Sequence, residues 1–337
     1  MRIFISEFVC GGGWPGDRAE SLAREGEAML RAVVEDFSRI DGVRVTTTWD
    51  ARLGPHRFSD AQVIPIDSPE LELPIFHELA GICDATLVIA PETDGILSQR
   101  AQIALQNGAH LLGPSVEAIE LCSDKYQLAR HWRQRGIETI PTYRLDEETP
   151  REFPVVVKPR DGAGSQGIRQ IGSAAELAEL TSRELSDSTF VWQPFIPGRA
   201  VSCALFFSPG DAEPILFPPA EQRLSDDGRF SYLGGRIPAR EVDQAAIQRA
   251  AAGACAVAPG LAGYVGVDLV VRESDQRPIP VEINPRLTTS YVGYRAHSLD
   301  NLALQFCPDR WGRSMPRWRE EETTFSPSGV TPASTSE

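Results

Sequence analysis

The chain has 337 residues, of which 42% are hydrophobic and 24% charged, and it carries a formal net charge of −14. This length predicts two or three globular domains, and the acidic balance argues against nucleic acid as the main partner, although not against nucleotides. No apolar run approaches the roughly 18 residues that cross a membrane, and the first residues, MRIFISEF, predict a strand rather than a signal peptide. Six scattered cysteines without a CxxC pair are typical of reduced thiols, so we expect a cytoplasmic protein with no membrane partner.

Strands alternate with helices over the first 115 residues. Strand patterns cover 2–9, 43–48, 61–66, 85–90 and 110–112, and helical patterns cover 20–40, 69–82 and 96–106. Because several of these strands are apolar throughout, they predict a parallel sheet with helices on both faces. We therefore expect a doubly wound α/β domain that binds its ligands at the carboxyl ends of the strands.

Two polar segments follow strands of this domain. Glu7 precedes a glycine triplet that includes Gly11 and Gly12, which is typical either of a tight turn or of a backbone site for a substrate carboxylate or phosphate. The triplet lacks the GxGxxG spacing of a dinucleotide site. Glu92 begins the second segment, where its carboxylate would meet a substrate amine or cap the helix that follows.

A glycine-rich loop lies between two strands in the middle of the chain. The strand 154–160 (PVVVKPR) carries Lys158 near its end, and a second strand resumes at 168–171. Glycines let backbone N–H groups close on phosphate oxygens, and a lysine adds a point charge. The pattern is neither a Walker A loop nor a kinase loop, since no GK[ST], HRD or DFG accompanies it. The candidate nucleotide-binding residues of the loop are Gly162, Ala163, Gly164, Ser165 and Gln166.

The strand 190–196 (FVWQPFI) runs into a Pro-Gly pair before the next strand, 200–207. Such a segment presents backbone groups to an adenine edge when it joins two subdomains, and otherwise it is a core strand. The candidate adenine-binding residues are Gln193, Pro194, Phe195 and Ile196.

The stretch 264–286 predicts a β-hairpin with a cation site. Its apolar residues alternate on both sides of a polar turn near Asp275, which places Asp268 opposite Glu282. Opposed carboxylates repel each other, and with Asn284 two residues on they form an all-oxygen set suited to Mg²⁺ or Mn²⁺. The alternative is a surface hairpin with solvated charges. Beyond residue 307 the apolar pattern stops, and we expect residues 308–337 to be a disordered tail.

In order, these motifs resemble the ATP-grasp superfamily of carboxylate–amine ligases over roughly residues 1–305. The resemblance implies a pre-ATP-grasp domain (1–115), a flap subdomain (116–190) and a metal-site subdomain (191–307). It also implies that Lys125, Lys158 and the flap hold the triphosphate of ATP, and that Asp268, Glu282 and Asn284 hold two Mg²⁺ ions. One departure is visible, since Gly198-Arg199-Ala200 lacks the glutamate that binds ribose in the family, and Gln193 stands where a glutamate is common.

The segments IFISEFVCGGG and EINPRLTTSYVGY resemble the branch of tyramine–L-glutamate ligases of methanofuran-type cofactor biosynthesis. This resemblance implies an L-glutamate acyl donor and a tyramine-like acceptor amine. Two alternatives stay open: an amino-acid or peptide ligase with other substrates, and a nucleotide-binding regulator without turnover. The complete set of Asp268, Glu282 and Asn284 argues against the regulator.

The implied reaction passes through an acyl phosphate. It needs charge neutralisation on the phosphates and exclusion of water. Lys158 and Arg286 are the candidate catalytic residues, although Arg286 also suits a structural ion pair. Further candidates for contact with the acid or the amine are Arg223, Arg236, Arg295, Thr288, Thr289 and Ser290. A homodimer is compatible with this sequence.

Overall fold

The computed structural model describes residues 1–16, 20–183, 189–208, 213–311 and 314–330. The first domain is built on a parallel sheet in the order β3-β2-β1-β4-β5. Its strands are β1 (Arg2–Glu7), β2 (Arg44–Asp50), β3 (Ala61–Ile66), β4 (Ala85–Ile89) and β5 (His110–Leu111), and its helices are α1 (Glu20–Ser38), α2 (Pro69–Ile82) and α3 (Ile96–Gln106). The strand order reverses between β1 and β4, which is where doubly wound sheets open a crevice for ligands.

Both faces of this sheet are buried, which explains its uninterrupted apolar runs. Ile3 and Ile5 of β1 pack into the same core as Leu30 and Val33 of α1, whereas Phe4 packs on the opposite face against Phe76 of α2. Successive side chains of the strand point to opposite faces of the sheet, and each face is covered by a helix. Polar residues would therefore be buried on either face.

Two helices lead into a small antiparallel sheet that carries the flap. The helices are α4 (Val116–Ser123) and α5 (Lys125–Gln134), and Asp124 caps α5 by accepting the N–H groups of Tyr126 and Gln127 at 3.1 and 3.0 Å. The sheet has the order β6-β9-β7-β8. Its elements are β6 (Tyr143–Arg144), β7 (Val155–Pro159), β8 (Arg169–Ile171), α6 (Ala174–Arg183) and β9 (Phe190–Pro194), and residues 160–168 between β7 and β8 form the flap.

A larger antiparallel sheet follows, in the order β15-β14-β10-β12-β13-β16-β17, with β11 paired to β10. Its strands are β10 (Gly198–Phe207), β11 (Ile215–Leu216), β12 (Ala220–Leu224), β13 (Tyr232–Ile237), β14 (Gly263–Arg272), β15 (Pro278–Asn284), β16 (Thr323–Ser326) and β17 (Gly329–Val330). Helices α7 (Gln244–Ala256), α8 (Ser290–His297) and α9 (Pro308–Trp311) accompany it, with a short 3₁₀ helix at 302–306. Two further 3₁₀ helices, at 51–53 and 93–95, belong to the first domain. α7 packs with α4 and α5 on one face of the sheet, and the other face is open to the site described below.

The prediction that residues 308–337 lack fixed structure is wrong for residues 308–311, which form α9, and for residues 323–330. The latter form β16 and β17, and β16 pairs with β13 from Gly235 to Ile237. Phe325 is 1% exposed, and a Cβ on Gly293 would lie only 2.4 Å from its ring. A Cβ on Gly235 would lie 2.8 Å from the same ring, so two distant glycines make room for it, and its burial contributes about 1.5–3 kcal/mol. Residues 312–313 and 331–337 of the predicted tail lie outside the described residues.

An ion-pair network joins the first domain to the larger sheet. Arg295 on α8 donates through Nε to Asp36 on α1 at 2.6 Å and through its terminal nitrogen to Glu35 at 2.8 Å. The hydroxyl of Tyr291 donates to the other oxygen of Asp36 at 2.8 Å. Arg295 therefore holds two domains together rather than binding a substrate. In the described ranges no helix is both long and apolar enough to cross a membrane, and the six cysteines form no disulfide there.

Candidate active site

The predicted hairpin exists, and its register is the predicted one. β14 pairs antiparallel with β15, Asp268 lies directly opposite Glu282, and Asn284 lies opposite Gly266. A register shift follows immediately between Asp268 and Leu269. The three oxygen-bearing side chains thus meet on the open face of the larger sheet.

The two carboxylates concentrate negative charge where water is largely excluded. Burial first and Glu282 second raise the pKa of Asp268, while hydrogen bonds from Asn284 (3.0 Å) and Gln222 (2.9 Å) work against the rise. Burial also acts to raise the pKa of Glu282, but the charges of Lys125 and Lys158 outweigh it and the net pKa is lowered. The lysine Nζ atoms lie 3.8 and 4.0 Å from the same Glu282 oxygen. Additional positive charge near the two carboxylates would therefore be stabilising.

This donor set fits a hard divalent cation. Carboxylate and amide oxygens are the ligands that Mg²⁺ and Mn²⁺ take, and Asp268, Glu282 and Asn284 supply all three. In the described parts of the chain no group of three or more His, Cys, Asp or Glu side chains is arranged for a metal. The set of two carboxylates and one amide is not such a group, and it is the candidate metal site on the chemistry of its oxygen donors.

The lysines and the flap close one side of this site. The Nζ of Lys125 donates to the carbonyl oxygen of Gly162 at 3.2 Å, which ties α5 to the flap. Gly162 and Gly164 have φ angles of +135° and +67°, which only glycine adopts readily. Burial lowers the pKa of Lys158 to about 8, since the opposing charge of Glu282 offsets only part of the effect and Lys125 adds to it. Gly164 and Ser165 line the cavity beside Lys158, whereas Gln166 is exposed at the tip.

An apolar cavity of about 450 Å³ lies next to the flap, between the two antiparallel sheets. The predicted adenine-binding residues Gln193, Pro194, Phe195 and Ile196 all line it. The Gln193 side chain donates to the hydroxyl of Thr142 at 2.8 Å, and the Phe195 ring stacks on Phe230 at 6.2 Å. Its size and its walls suit a purine.

Several residues line both this cavity and the cation site. Lys158 lines both, as Gln222 does. Ala200 also lines both and brings no polar group, which agrees with the departure noted in the sequence. The neighbouring Arg199 instead pairs with Glu241 at 2.7 Å on the surface.

A second cavity, of about 220 Å³, extends from the cation site toward α1 and α8. Thr288 and Thr289, both predicted substrate contacts, line it. The hydroxyls of Thr288 and Tyr264 lie 3.0 Å apart, and the Thr289 hydroxyl donates to Glu25 at 3.1 Å. This cavity is the candidate site for small-molecule substrates.

Arg286 lies at the junction of the two domains. Its Nε and a terminal nitrogen donate to the two oxygens of Glu92 at 3.0 and 3.1 Å, and the side chains are only 11% and 4% exposed. Glu92 does not cap the helical turn after it, because no cap hydrogen bond from its side chain is formed. Glu92 therefore holds Arg286, which lines the substrate cavity, and both interpretations of Glu92 drawn from the sequence need this correction.

Three predicted substrate residues instead form a buried turn. The carboxylate of Glu7 accepts the N–H of Cys10 at 2.5 Å, and the Gly11 N–H donates to the Glu7 carbonyl at 2.8 Å. Gly12 has a φ of +100° and packs on Ile66. All three are fully buried, and none belongs to the cavity lining found in the described structure.

Two predicted arginines also lie away from the cavity. Arg223 is exposed on β12. Arg236 pairs with Glu221 and Glu322, on the face of the sheet opposite Asp268. These positions follow from strand alternation in a segment whose polar composition concealed β12 and β13.

Several residues of the site were not identified from the sequence, among them Glu25, Gln222, Tyr232 and Tyr264. Gln222 and Tyr232 belong to β12 and β13, which the polar composition concealed. The apolar residues Ala220 and Leu224 alternate with polar residues there, and this alternation was the signal for a strand. Glu25 lies beside Gly26 in the apolar stripe of α1, and only the tertiary structure brings it to the cavity.

The chain matches two families. The ATP-grasp domain family matches residues 122–290, and the pre ATP-grasp 3 domain family matches residues 43–119. The tyramine–L-glutamate ligase of Methanocaldococcus fervens is 27% identical, over 90% of this chain and 93% of that protein. The D-alanine–D-alanine ligase of Methylibium petroleiphilum is 27% identical over 56% of this chain and 63% of that protein.

Among solved structures, the chain is similar to a putative ATP-grasp superfamily protein from Archaeoglobus fulgidus, with a TM-score of 0.72 and 25% identity. The similarity covers 97% of this chain and 92% of that one. These matches confirm the resemblance drawn from the motifs and the predicted fold.

Proposed function

We propose that the chain, which belongs to the ATP-grasp superfamily, joins L-glutamate to a tyramine-like aromatic amine. The premise is that it is an ADP-forming carbon–nitrogen ligase, as its relatives indicate. The observation that carries the proposal is the meeting of three features on one sheet face. The first feature is a purine-sized cavity, the second is a pair of buried lysines, and the third is the set of Asp268, Glu282 and Asn284. They adjoin a second cavity, which Arg286 lines.

The reaction has two steps. A carboxylate oxygen of the acid attacks the γ-phosphorus of ATP, ADP leaves, and an acyl phosphate forms. The amine nitrogen then attacks the acyl carbon, inorganic phosphate leaves with the carboxylate oxygen, and the amine loses a proton. Each step moves negative charge that preorganised cations stabilise.

The residues of this chain would divide the work by position. Lys158 and Lys125 would contact the phosphates, and the flap with Gly162 and Gly164 would close over them and keep water from the acyl phosphate. Arg286, held by Glu92, would orient the acid beside the γ-phosphate. A divalent cation, Mg²⁺ or Mn²⁺, held by Asp268, Glu282 and Asn284 would neutralise phosphate charge.

Two observations support the choice of substrates. The first is the similarity to a tyramine–L-glutamate ligase over nearly the full length of both chains. The second is the aromatic lining of the substrate cavity by Tyr232, Tyr264 and Tyr294. The proposal places the protein in methanofuran-type cofactor biosynthesis. An amino-acid or peptide ligase with other substrates is the second candidate, which the partial similarity to a D-alanine–D-alanine ligase favours.

The test is ATP consumption with Mg²⁺, L-glutamate and tyramine, with product masses determined. The proposal expects ADP and one amide of the summed mass less water, and expects Glu282→Gln to lose nearly all of this turnover. ADP formation only with other acid–amine pairs would select the second candidate. ATP binding without turnover on any pair would overturn both.

A further inference from the structure

Glu25 brings a carboxylate from the first domain into a cavity that the larger sheet and α8 otherwise build. It lies on α1 and lines the same cavity as Ser202, Tyr232 and Ser290. The next residue, Gly26, touches the Glu7 carboxylate so closely that a Cβ there would lie 2.6 Å away. This contact fixes α1 against β1 and so fixes Glu25 over the cavity.

Among the described residues Glu25 has no direct ion-pair partner, although the charge of Arg286 acts on it from a distance. Within the described ranges its carboxylate accepts one hydrogen bond, from Thr289 at 3.1 Å, and forms no ion pair with a lysine or arginine. Burial raises the pKa of Glu25, while Thr289 and the charge of Arg286 work against the rise. A half-buried carboxylate in this state lacks a positive partner.

The other charged groups of the cavity are already committed. Arg286 forms two hydrogen bonds with Glu92, and Lys158 lies 4.0 Å from Glu282. Asp268 and Glu282 belong to the candidate cation site. Among the described residues that line this cavity, Glu25 is the carboxylate outside the candidate cation site, so it is the group placed to recognise a positively charged group of a substrate.

The surroundings of Glu25 suit an ammonium group. The hydroxyls of Ser290 and Thr289 offer further hydrogen-bond acceptors, and the rings of Tyr232, Tyr264 and Tyr294 line the cavity. Aromatic faces attract ammonium ions, whereas two hydroxyls and one carboxylate give no set of ligands for a second divalent metal.

We propose that Glu25 binds the ammonium group of a substrate and thereby determines substrate specificity. The inference rests on the proposed ligase function, because it takes the acid and the amine as the occupants of this cavity. Two substrates carry that group, namely the α-ammonium of the amino-acid donor and the ammonium of the incoming amine. The chemistry of recognition is the same for both.

The experiment compares wild type, Glu25→Gln and Glu25→Asp with the control Glu27→Gln. Glu27 lies on the same helix but lines a surface cavity with Arg24 and Arg31, so its replacement should leave substrate binding unchanged. Calorimetry with Mg²⁺ and a non-hydrolysable ATP analogue measures the affinity for L-glutamate, for glutarate, which lacks the ammonium, and for tyramine.

We expect Glu25→Gln to weaken one ammonium ligand roughly 10- to 100-fold, the range for loss of a charged hydrogen bond, with partial recovery in Glu25→Asp. Weaker L-glutamate binding, with glutarate unaffected, identifies the donor; weaker tyramine binding identifies the acceptor. Equal affinities in Glu25→Gln and wild type, a matching loss of affinity for the ATP analogue, or no binding of either ligand to wild type would overturn the proposal. Turnover is measured separately, so an inactive enzyme that still shows the Glu25 effect would refute only the ligase assignment.

Discussion

Replacing Glu92 by glutamine tests whether a contact between domains positions Arg286. The substitution keeps the size of the side chain and one acceptor oxygen but removes the negative charge. Arg286 then stays buried, at 11% exposure, without its bidentate partner. We expect the protein to lose stability and turnover together.

The magnitude follows from burial. Breaking a buried ion pair by removing one partner costs about 3–5 kcal/mol, because the remaining charge is uncompensated. Glu25 and Glu282 also interact with the charge of Arg286, and the glutamine oxygen keeps one hydrogen bond. The loss should therefore lie near the lower end, about 3 kcal/mol. A displaced Arg286 should also lower kcat by roughly 100-fold.

The assay is urea unfolding at pH 7 together with steady-state turnover. Asp84→Asn is the matched control, since Asp84 lies at the amino end of β4, the strand that Glu92 follows, and pairs with Arg2 of β1 at 3.1 Å. Both side chains are about half exposed there (56% and 47%), so that loss should not exceed about 1 kcal/mol. A Glu92→Gln variant as stable as Asp84→Asn, with normal kcat, would refute the reasoning.

Three further predictions concern single side chains. Gly26→Ala should destabilise by about 1 kcal/mol or more, because contact with Glu7 outweighs the better helix propensity, whereas Gly253→Ala, with nothing within 4 Å, should stabilise by up to about 1 kcal/mol; urea unfolding of both measures the difference. Burial raises the pKa of Glu7 from 4.5 to about 7. The protonated Glu7 side chain therefore contributes fully to the free energy of unfolding below pH 4.5, and this contribution is lost as the pH rises through 7. One pKa unit corresponds to 1.36 kcal/mol, so the loss is about 3 kcal/mol; Glu7→Gln should lack it, and identical pH profiles from 4.5 to 8 would contradict this. Lys158→Met should raise the KM for ATP and lower kcat by at least about 100-fold, as steady-state kinetics at pH 7 would show, and a normal KM would exclude phosphate contact.

The sequence predicted the parts of the site that follow from local periodicity. The alternation on both sides of the turn near Asp275 fixed Asp268 opposite Glu282, and the structure has that pair. The flap and the strand 190–196 were recognisable for the same reason, because glycine spacing and apolar runs are local signals.

Contacts between distant segments could not be predicted in this way. Glu92 and Arg286 are 194 residues apart, and only the packing of two domains makes them partners. The close contact of Gly26 with Glu7 sets the position of α1 and therefore of Glu25. A glycine in a helical sequence pattern does not indicate which residue it will contact. The strand with Phe325 was missed because its polar flanks resemble a tail, whereas its stability comes from space left by Gly235 and Gly293.

The central claim is that a carboxylate is activated by phosphorylation at this site. Its most direct test uses L-glutamate labelled with ¹⁸O in its carboxyl groups, together with ATP, Mg²⁺ and tyramine, and determines the mass of the phosphate released. The acyl phosphate route predicts one ¹⁸O in each phosphate formed, in step with ADP and amide. Unlabelled phosphate at the same yield of ADP would mean that water attacks ATP, and would contradict the account.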